Sequence, residues 1–138
     1  MTVKDYITED YVSFETAKLL KEKGFDEECW CWYEEDGYFK DSNDDYGFQS
    51  NSDHISDDFI CSASTLQMAM KWLREVQNLF VFPFPQTNTN KFWAEIYQLS
   101  ANQEIWENLY CESINLQDYP TYEEACEVAI KYCLEHLI

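Results

Sequence analysis

One stretch of fifteen residues, from Ser64 to Asn78, constrains the fold of this chain more than any other. Its apolar side chains recur at steps of three and four residues, the spacing that places them on one face of an α-helix. The members of that face are Leu66, Ala69, Met70, Leu73 and Val76, with Met68 and Trp72 beside them. A helix with so wide an apolar face has to be covered on more than one side. The stretch therefore predicts a central helix packed against a sheet and a second neighbour, although Trp72 and its methionines are also compatible with a groove for a partner.

Two further helices are predicted from their end signals. The first begins after Ser13 and ends at Gly24, a residue suited to the left-handed position that closes a helix, with Phe25 folding back. The last begins at Thr121, which forms a capping box with Glu124. Its buried stripe is predicted to contain Tyr122, Cys126, Ala129, Cys133 and Leu137.

The strands are predicted from runs of bulky and alternating residues. These runs are 29–33, 38–40, 79–82, 92–99 and about 105–114, and Asp36-Gly37 is a strong hairpin signal between the first two. Pro83 and Pro85 are expected to end the strand at 79–82 or to hold it at a sheet edge. The order α-ββ-α-βββ-α predicts a single α+β domain over residues 1–138, with three helices packed on an antiparallel sheet of about four to five strands.

The charge of the chain excludes one class of function. The 138 residues carry 27 acidic side chains against nine Lys and Arg, a formal net charge of −18. So negative a field repels nucleic acid and anionic membranes and attracts basic protein surfaces or cations. The first residues lack the apolar core of a signal peptide, and no stretch reaches the ~20 apolar residues of a membrane span. We therefore expect a cytoplasmic protein that binds neither nucleic acid nor membranes, with its oligomeric state left open.

A long polar segment, residues 41–58, interrupts the predicted elements. Loops of that length are typically functional or disordered. Asp41, Asn43 and Asp45 match the first ligand positions of a calcium loop, but Gly47 comes one place late. A zinc site made from Cys29, Cys31, His54 and Cys61 lacks a Cys-x2-Cys pair, so the six cysteines are predicted to be buried thiols of a reducing compartment.

No catalytic motif supports an enzyme. The three glycines, Gly24, Gly37 and Gly47, suit caps and turns rather than a phosphate-binding loop. No serine stands in a nucleophile elbow, and a carboxylate pair is uninformative when 27 acids are present. We expect no cofactor and favour a non-enzymatic role, with an enzyme of unrecognised site as a lesser alternative.

Four segments together resemble one known family. They are YITEDYVS (6–13), LLKEKGFD (19–26), TLQMAMKWLREV (65–76) and YEEACEVAIKYCLE (122–135). The family consists of small uncharacterised proteins of gut bacterial phages, prophages and mobile elements. The resemblance implies a setting, an intracellular accessory protein of a phage or mobile element, and brings no activity, cofactor or catalytic residue with it.

The acidic stretch from Asp26 to Asp58 is the strongest functional signal. Twelve acidic residues against Lys40 give it a net charge of −11, and aromatic residues are interleaved with them. Carboxylates steer a basic partner and aromatics anchor it, so we expect an acidic, aromatic face that binds a basic host or phage protein, with nucleic-acid mimicry or modulation of host defence as possible outcomes. The candidate residues are Trp32, Glu34, Glu35, Asp36, Tyr38, Asp44, Asp45 and Tyr46. The alternatives are a module that binds a small ligand or cation through the acidic loop, and a solvated surface with its aromatics in the core.

Overall fold

A computed structural model describes residues 7–42, 47–53, 57–109 and 118–138. Within these ranges the chain forms three helices and six strands. The helices are α1 (Phe14–Glu22), α2 (Leu66–Val76) and α3 (Tyr122–Tyr132). The strands are β1 (Cys31–Glu34), β2 (Tyr38–Asp41), β3 (Phe59–Ala63), β4 (Leu79–Pro85), β5 (Phe92–Leu99) and β6 (Trp106–Asn108). None of these helices combines the length and the apolar character that crossing a bilayer requires.

The described strands form two separate antiparallel sheets. The first has the order β2-β1-β3 and the second the order β4-β5-β6. The α+β class is thus confirmed, whereas the prediction of one sheet with four to five strands is wrong. The difference comes from β3, which the sequence pattern did not reveal and which pairs with β1 rather than extending the second sheet. β4 is an edge strand, one of the two outcomes expected from its prolines.

Each helix begins at a side-chain cap, which for α1 and α3 is the predicted residue and for α2 is Thr65. The side chains of Ser13, Thr65 and Thr121 accept hydrogen bonds from the backbone N–H three residues further on. At the end of α1, Gly24 adopts a φ of 95° and the N–H of Phe25 donates to Leu20 O at 2.9 Å. Phe25 is buried and its ring lies 5.6 Å from that of Trp72, so the cap directs an aromatic side chain into the core.

Helix α2 is the buried centre of the molecule. Its buried side chains are Leu66, Ala69, Met70, Trp72 and Leu73. It packs against β4 and α3, which confirms a sheet and a second neighbour as its cover. Val76 departs from the predicted face, since 54% of its side chain is exposed at the last turn. Trp72 is 4% exposed and lies mostly in the core, although it also lines a surface depression with Met68 and Val76.

The middle of the predicted 41–58 loop is bound to the core. Cys29 and Gln49 exchange two backbone hydrogen bonds of 2.8 Å. The buried side chain of Asn51 donates to Phe25 O at 2.6 Å and accepts from the N–H of Ser62 at 2.8 Å. One side chain thus joins the loop, the end of the α1 cap and β3.

We predict that Asn51→Ala lowers the free energy of unfolding by about 2–3 kcal/mol, because two buried backbone groups lose their partners. Chemical denaturation measures the change. Asn90→Ala is the matched control, since Asn90 is exposed, and it should change stability by less than about 0.5 kcal/mol. Equal effects of the two substitutions would show that Asn51 does not hold the loop.

Candidate functional site

The turn between β1 and β2 is shaped by two residues with left-handed backbone. Glu34 pairs with Tyr38, and between them Asp36 has a φ of 64° and Gly37 a φ of 82°. Asp tolerates this region and Gly adopts it without steric cost, which is why Asp36-Gly37 correctly predicted the hairpin. A Cβ on Gly37 would lie 3.0 Å from Cδ2 of Phe14, so the turn also rests closely on the start of α1.

Five carboxylates meet at this end of the first sheet. Glu34 lies opposite Phe59 in the register of β1 and β3, and the N–H of Glu35 donates to Asp58 O at 3.1 Å. This pairing brings the Asp57-Asp58 dipeptide beside the β1–β2 turn. We call Glu34, Glu35, Asp36, Asp57 and Asp58 the acidic end. Glu34 is partly buried and the other members are exposed.

No cation neutralises the acidic end within the described part of the chain. The one ion pair found there joins Lys131 and Glu15 at 2.9 Å, on α3 and α1. Lys21, at the end of α1, instead donates to Ile60 O at 2.6 Å, and Lys18 lies over the ring of Phe14 at 4.4 Å. Within the described ranges, the carboxylates of the acidic end thus form no ion pair.

Two exposed aromatic side chains lie on β2 next to the acidic end. Tyr38 is 68% exposed and Phe39 is 45% exposed. The ring of Phe39 contacts those of Tyr11 and Tyr33 at centroid distances of 5.1 and 5.6 Å. Tyr33 is fixed in turn, because its hydroxyl donates to Val12 O at 2.6 Å. Phe39 is thus exposed on one side and supported by the core on the other.

The structure divides the eight predicted interaction residues into three groups. Glu34, Glu35, Asp36 and Tyr38 come together at the acidic end. Trp32 is only 5% exposed, and its indole N–H donates to Glu34 Oε2 at 3.2 Å, so it supports a surface carboxylate from the interior. Asp44, Asp45 and Tyr46 lie outside the described residues.

Sequence reasoning missed Asp57, Asp58 and Phe39 as members of this surface. The two aspartates were counted in the acidic stretch, but their position depends on the unpredicted pairing of β3 with β1. The run Phe59-Ile-Cys-Ser-Ala63 was the available signal, since β-branched and aromatic residues after a polar segment favour a strand.

Other acids of the stretch have structural partners. Asp26 accepts hydrogen bonds from the N–H and the hydroxyl of Ser52 at 2.8 and 2.9 Å, and these bonds lower the pKa of its carboxyl. Asp41 accepts from the indole N–H of Trp30 at 2.8 Å. The negative charge of the stretch is therefore not one continuous surface, because some of its carboxylates, such as those of Asp26 and Asp41, hold structural hydrogen bonds.

The five cysteines that the structure describes are buried free thiols. Burial raises the pKa of Cys29 and Cys133 to about 12 and that of Cys61 and Cys126 to about 11. Thiols that stay protonated are poor nucleophiles and poor metal ligands. Within the described ranges, no group of three or more His, Cys, Asp or Glu side chains is arranged to hold a metal ion.

The comparisons with known proteins give no relative for this chain. No family model matches it, and neither a curated protein nor a solved structure does.

We predict that the protein loses stability at alkaline pH. The thiols ionise near their ordinary value of 9.0 in the unfolded chain, but near 11 to 12 in the folded protein. Above pH 9 the unfolded state binds fewer protons, so the free energy of unfolding falls as pH rises toward the folded values, by about 1 kcal/mol per pH unit for each thiol. Below pH 9 this contribution is fully present.

Urea unfolding at several pH values between 8 and about 11 measures this slope. A Cys126→Ala/Cys133→Ala variant should show a shallower decline than the unaltered protein, whatever its stability at neutral pH. Parallel curves for the two proteins would contradict the assignment of the alkaline loss to these thiols.

Proposed function

We propose that this protein is a non-enzymatic interaction protein that binds a basic protein surface through its acidic end and the adjoining Tyr38 and Phe39. The observation that carries the proposal is the placement of five acidic residues at one end of the first sheet, none of them in an ion pair with a described cation, next to the exposed side chains of Tyr38 and Phe39. Charge and aromatic area are the two components that a surface of this kind requires.

The electrostatic part of the proposal concerns the rate of association. A net charge of −18 attracts cationic proteins over a distance set by the ionic strength, and the acidic end concentrates that attraction at one position. The carboxylates of the acidic end repel nucleic acid, because its phosphates carry charge of the same sign. A basic protein surface that otherwise binds phosphate groups fits the acidic end well, because the carboxylates then take the place of phosphates as acceptors for Lys and Arg.

The aromatic part concerns the lifetime of the complex. Aromatic side chains at the centre of an interface contribute much of its binding energy when they become desolvated. Phe39 is held in place by Tyr11 and Tyr33, so it loses little conformational freedom when a partner covers it. Tyr38, on the same strand β2, has an exposed ring and a hydroxyl that a partner can contact.

The biological setting is part of the same proposal. Its support is the resemblance of four sequence segments to small proteins of phages, prophages and mobile elements. An accessory protein in that setting acts by binding a protein of the host or of the phage, and competition with nucleic acid for a basic surface would modulate that protein's activity.

The proposal is tested with a variant that removes charge from the acidic end only. The tagged protein is first used to capture proteins from a bacterial lysate at low ionic strength, and a retained basic protein is identified and purified. The variant combines four substitutions, which are Glu35→Gln, Asp36→Asn, Asp57→Asn and Asp58→Asn. We expect its association rate with that protein to fall about tenfold, with a smaller change in dissociation rate and an unchanged or slightly higher melting temperature.

A control variant removes the same number of charges elsewhere. Glu9, Glu22, Glu75 and Glu135 are exposed carboxylates outside the acidic end, and their combined substitution by Gln should slow association much less. Equal slowing by both variants would mean that only the total charge matters. Retention of no basic protein at low ionic strength would contradict the proposal outright.

A further inference from the structure

The outer face of the second sheet is built from aromatic rings. Strand alternation buries Leu79, Val81, Ala94 and Ile96 on the inner face, where α2 and α3 pack. The opposite face carries Phe80 and Phe82 of β4, Tyr97 of β5 and Trp106 of β6. Phe82 is 47% exposed and Trp106 is 43% exposed, so this face presents large apolar area to solvent.

These four rings line one open depression of about 290 Å³. Phe80 and Tyr97 are neighbours across β4 and β5, and they form its floor. The rings of Phe80 and Trp106 are 5.7 Å apart at an interplanar angle of 77°, and those of Phe80 and Phe82 are 6.1 Å apart at 56°. Rings set at such angles are in tilted or edge-to-face contact rather than stacked on each other.

A carboxylate lies at the edge of the depression. Glu95 is directly opposite Phe82 in the register of β4 and β5. Its Oε2 accepts a hydrogen bond from the hydroxyl of Tyr97 at 2.5 Å, which raises the pKa of that hydroxyl and keeps it a donor. The negative side chain is thus fixed beside the ring faces, which are themselves the negative part of an aromatic quadrupole.

One contact within the chain already places a cation against one of these rings. The guanidinium carbon of Arg74, on α2, lies 5.5 Å from the centroid of Phe80. A planar guanidinium stacks on aromatic faces and is weakly hydrated, so it is transferred to such a surface more readily than the compact ammonium of lysine. One ring of the depression is therefore already in contact with a cation of this type.

We propose that the depression formed by Phe80, Phe82, Tyr97 and Trp106 binds an arginine side chain of a partner polypeptide, with its guanidinium against the rings and its charge facing Glu95. Charge complementarity favours a cation over a neutral apolar group, since the carboxylate of Glu95 lies beside Phe82 and Tyr97 while Arg74 contacts the ring of Phe80, and the chain as a whole carries a net charge of −18. The site lies on a different sheet from the acidic end, and its occupancy does not depend on that surface.

The test uses three peptides of the same length, which contain arginine, lysine or citrulline between glycines. Citrulline keeps the planar shape of arginine and lacks its charge. The readout is the indole N–H resonance of Trp106 among the five tryptophans of the chain, assigned from its loss in Trp106→Phe. We expect the arginine peptide to shift this resonance in a saturable manner, the lysine peptide to bind about fivefold more weakly, and the citrulline peptide to leave it unchanged.

Two substitutions separate the depression from other surfaces. Phe82→Leu keeps apolar volume and removes a ring, so it should weaken arginine-peptide binding about fivefold. Tyr38→Leu removes an exposed ring from the first sheet and should leave the Trp106 response intact, as should the four-carboxylate variant of the acidic end.

Three outcomes would overturn the proposal. Equal shifts by the citrulline and arginine peptides would identify a neutral occupant. A shift of the Trp106 resonance that follows protein concentration without peptide would identify a second copy of the chain as the occupant. The absence of a saturable shift with the arginine peptide would show that the depression binds no guanidinium group.

Discussion

The burial of helix α2 is the interaction on which the rest of the structure depends. This helix connects β3 of the first sheet to β4 of the second, so both sheets are attached to its ends. Its start is fixed by the N–H of Leu66, which donates to Asp10 O at 2.9 Å, and its centre by the contact of Trp72 with Phe25. Each large apolar side chain that it buries contributes roughly 1.5–3 kcal/mol. The helix thereby links the two small sheets in one fold.

The chain can carry so many acidic residues because the carboxylates of the acidic end lie outside the buried core. The acidic end occupies a hairpin turn and the residues that precede β3, where carboxylates remain in water and cost little to keep ionised. Mutual repulsion among Glu35, Asp36 and Asp58 is nevertheless unfavourable, and the described residues bring no cation to relieve it. A basic partner would relieve that repulsion on binding.

The sequence predicted those features that depend on neighbouring residues. The caps of α1 and α3, the Gly24 ending of α1 and the Asp36-Gly37 turn follow from local backbone chemistry, and each was found. The division into two sheets could not be predicted in the same way, because it depends on the pairing of β3 with β1, and the acidic segment separates these two strands in the sequence. The burial of Trp32 could not be predicted from neighbouring residues either. Alternation places it on the face of β1 opposite to its neighbours, but only the packing of the sheet decides that this face is also buried.

Hydrogen exchange of the backbone amides, with and without a bound basic partner, tests the central claim most directly. It reports which surface becomes covered without altering any residue. Binding through the acidic end predicts slower exchange in residues 34–39 and 57–60, with the faces of α2 and α3 unchanged. Slower exchange confined to other segments, with these two unaffected, would show that the acidic end is a solvated surface and not the docking site.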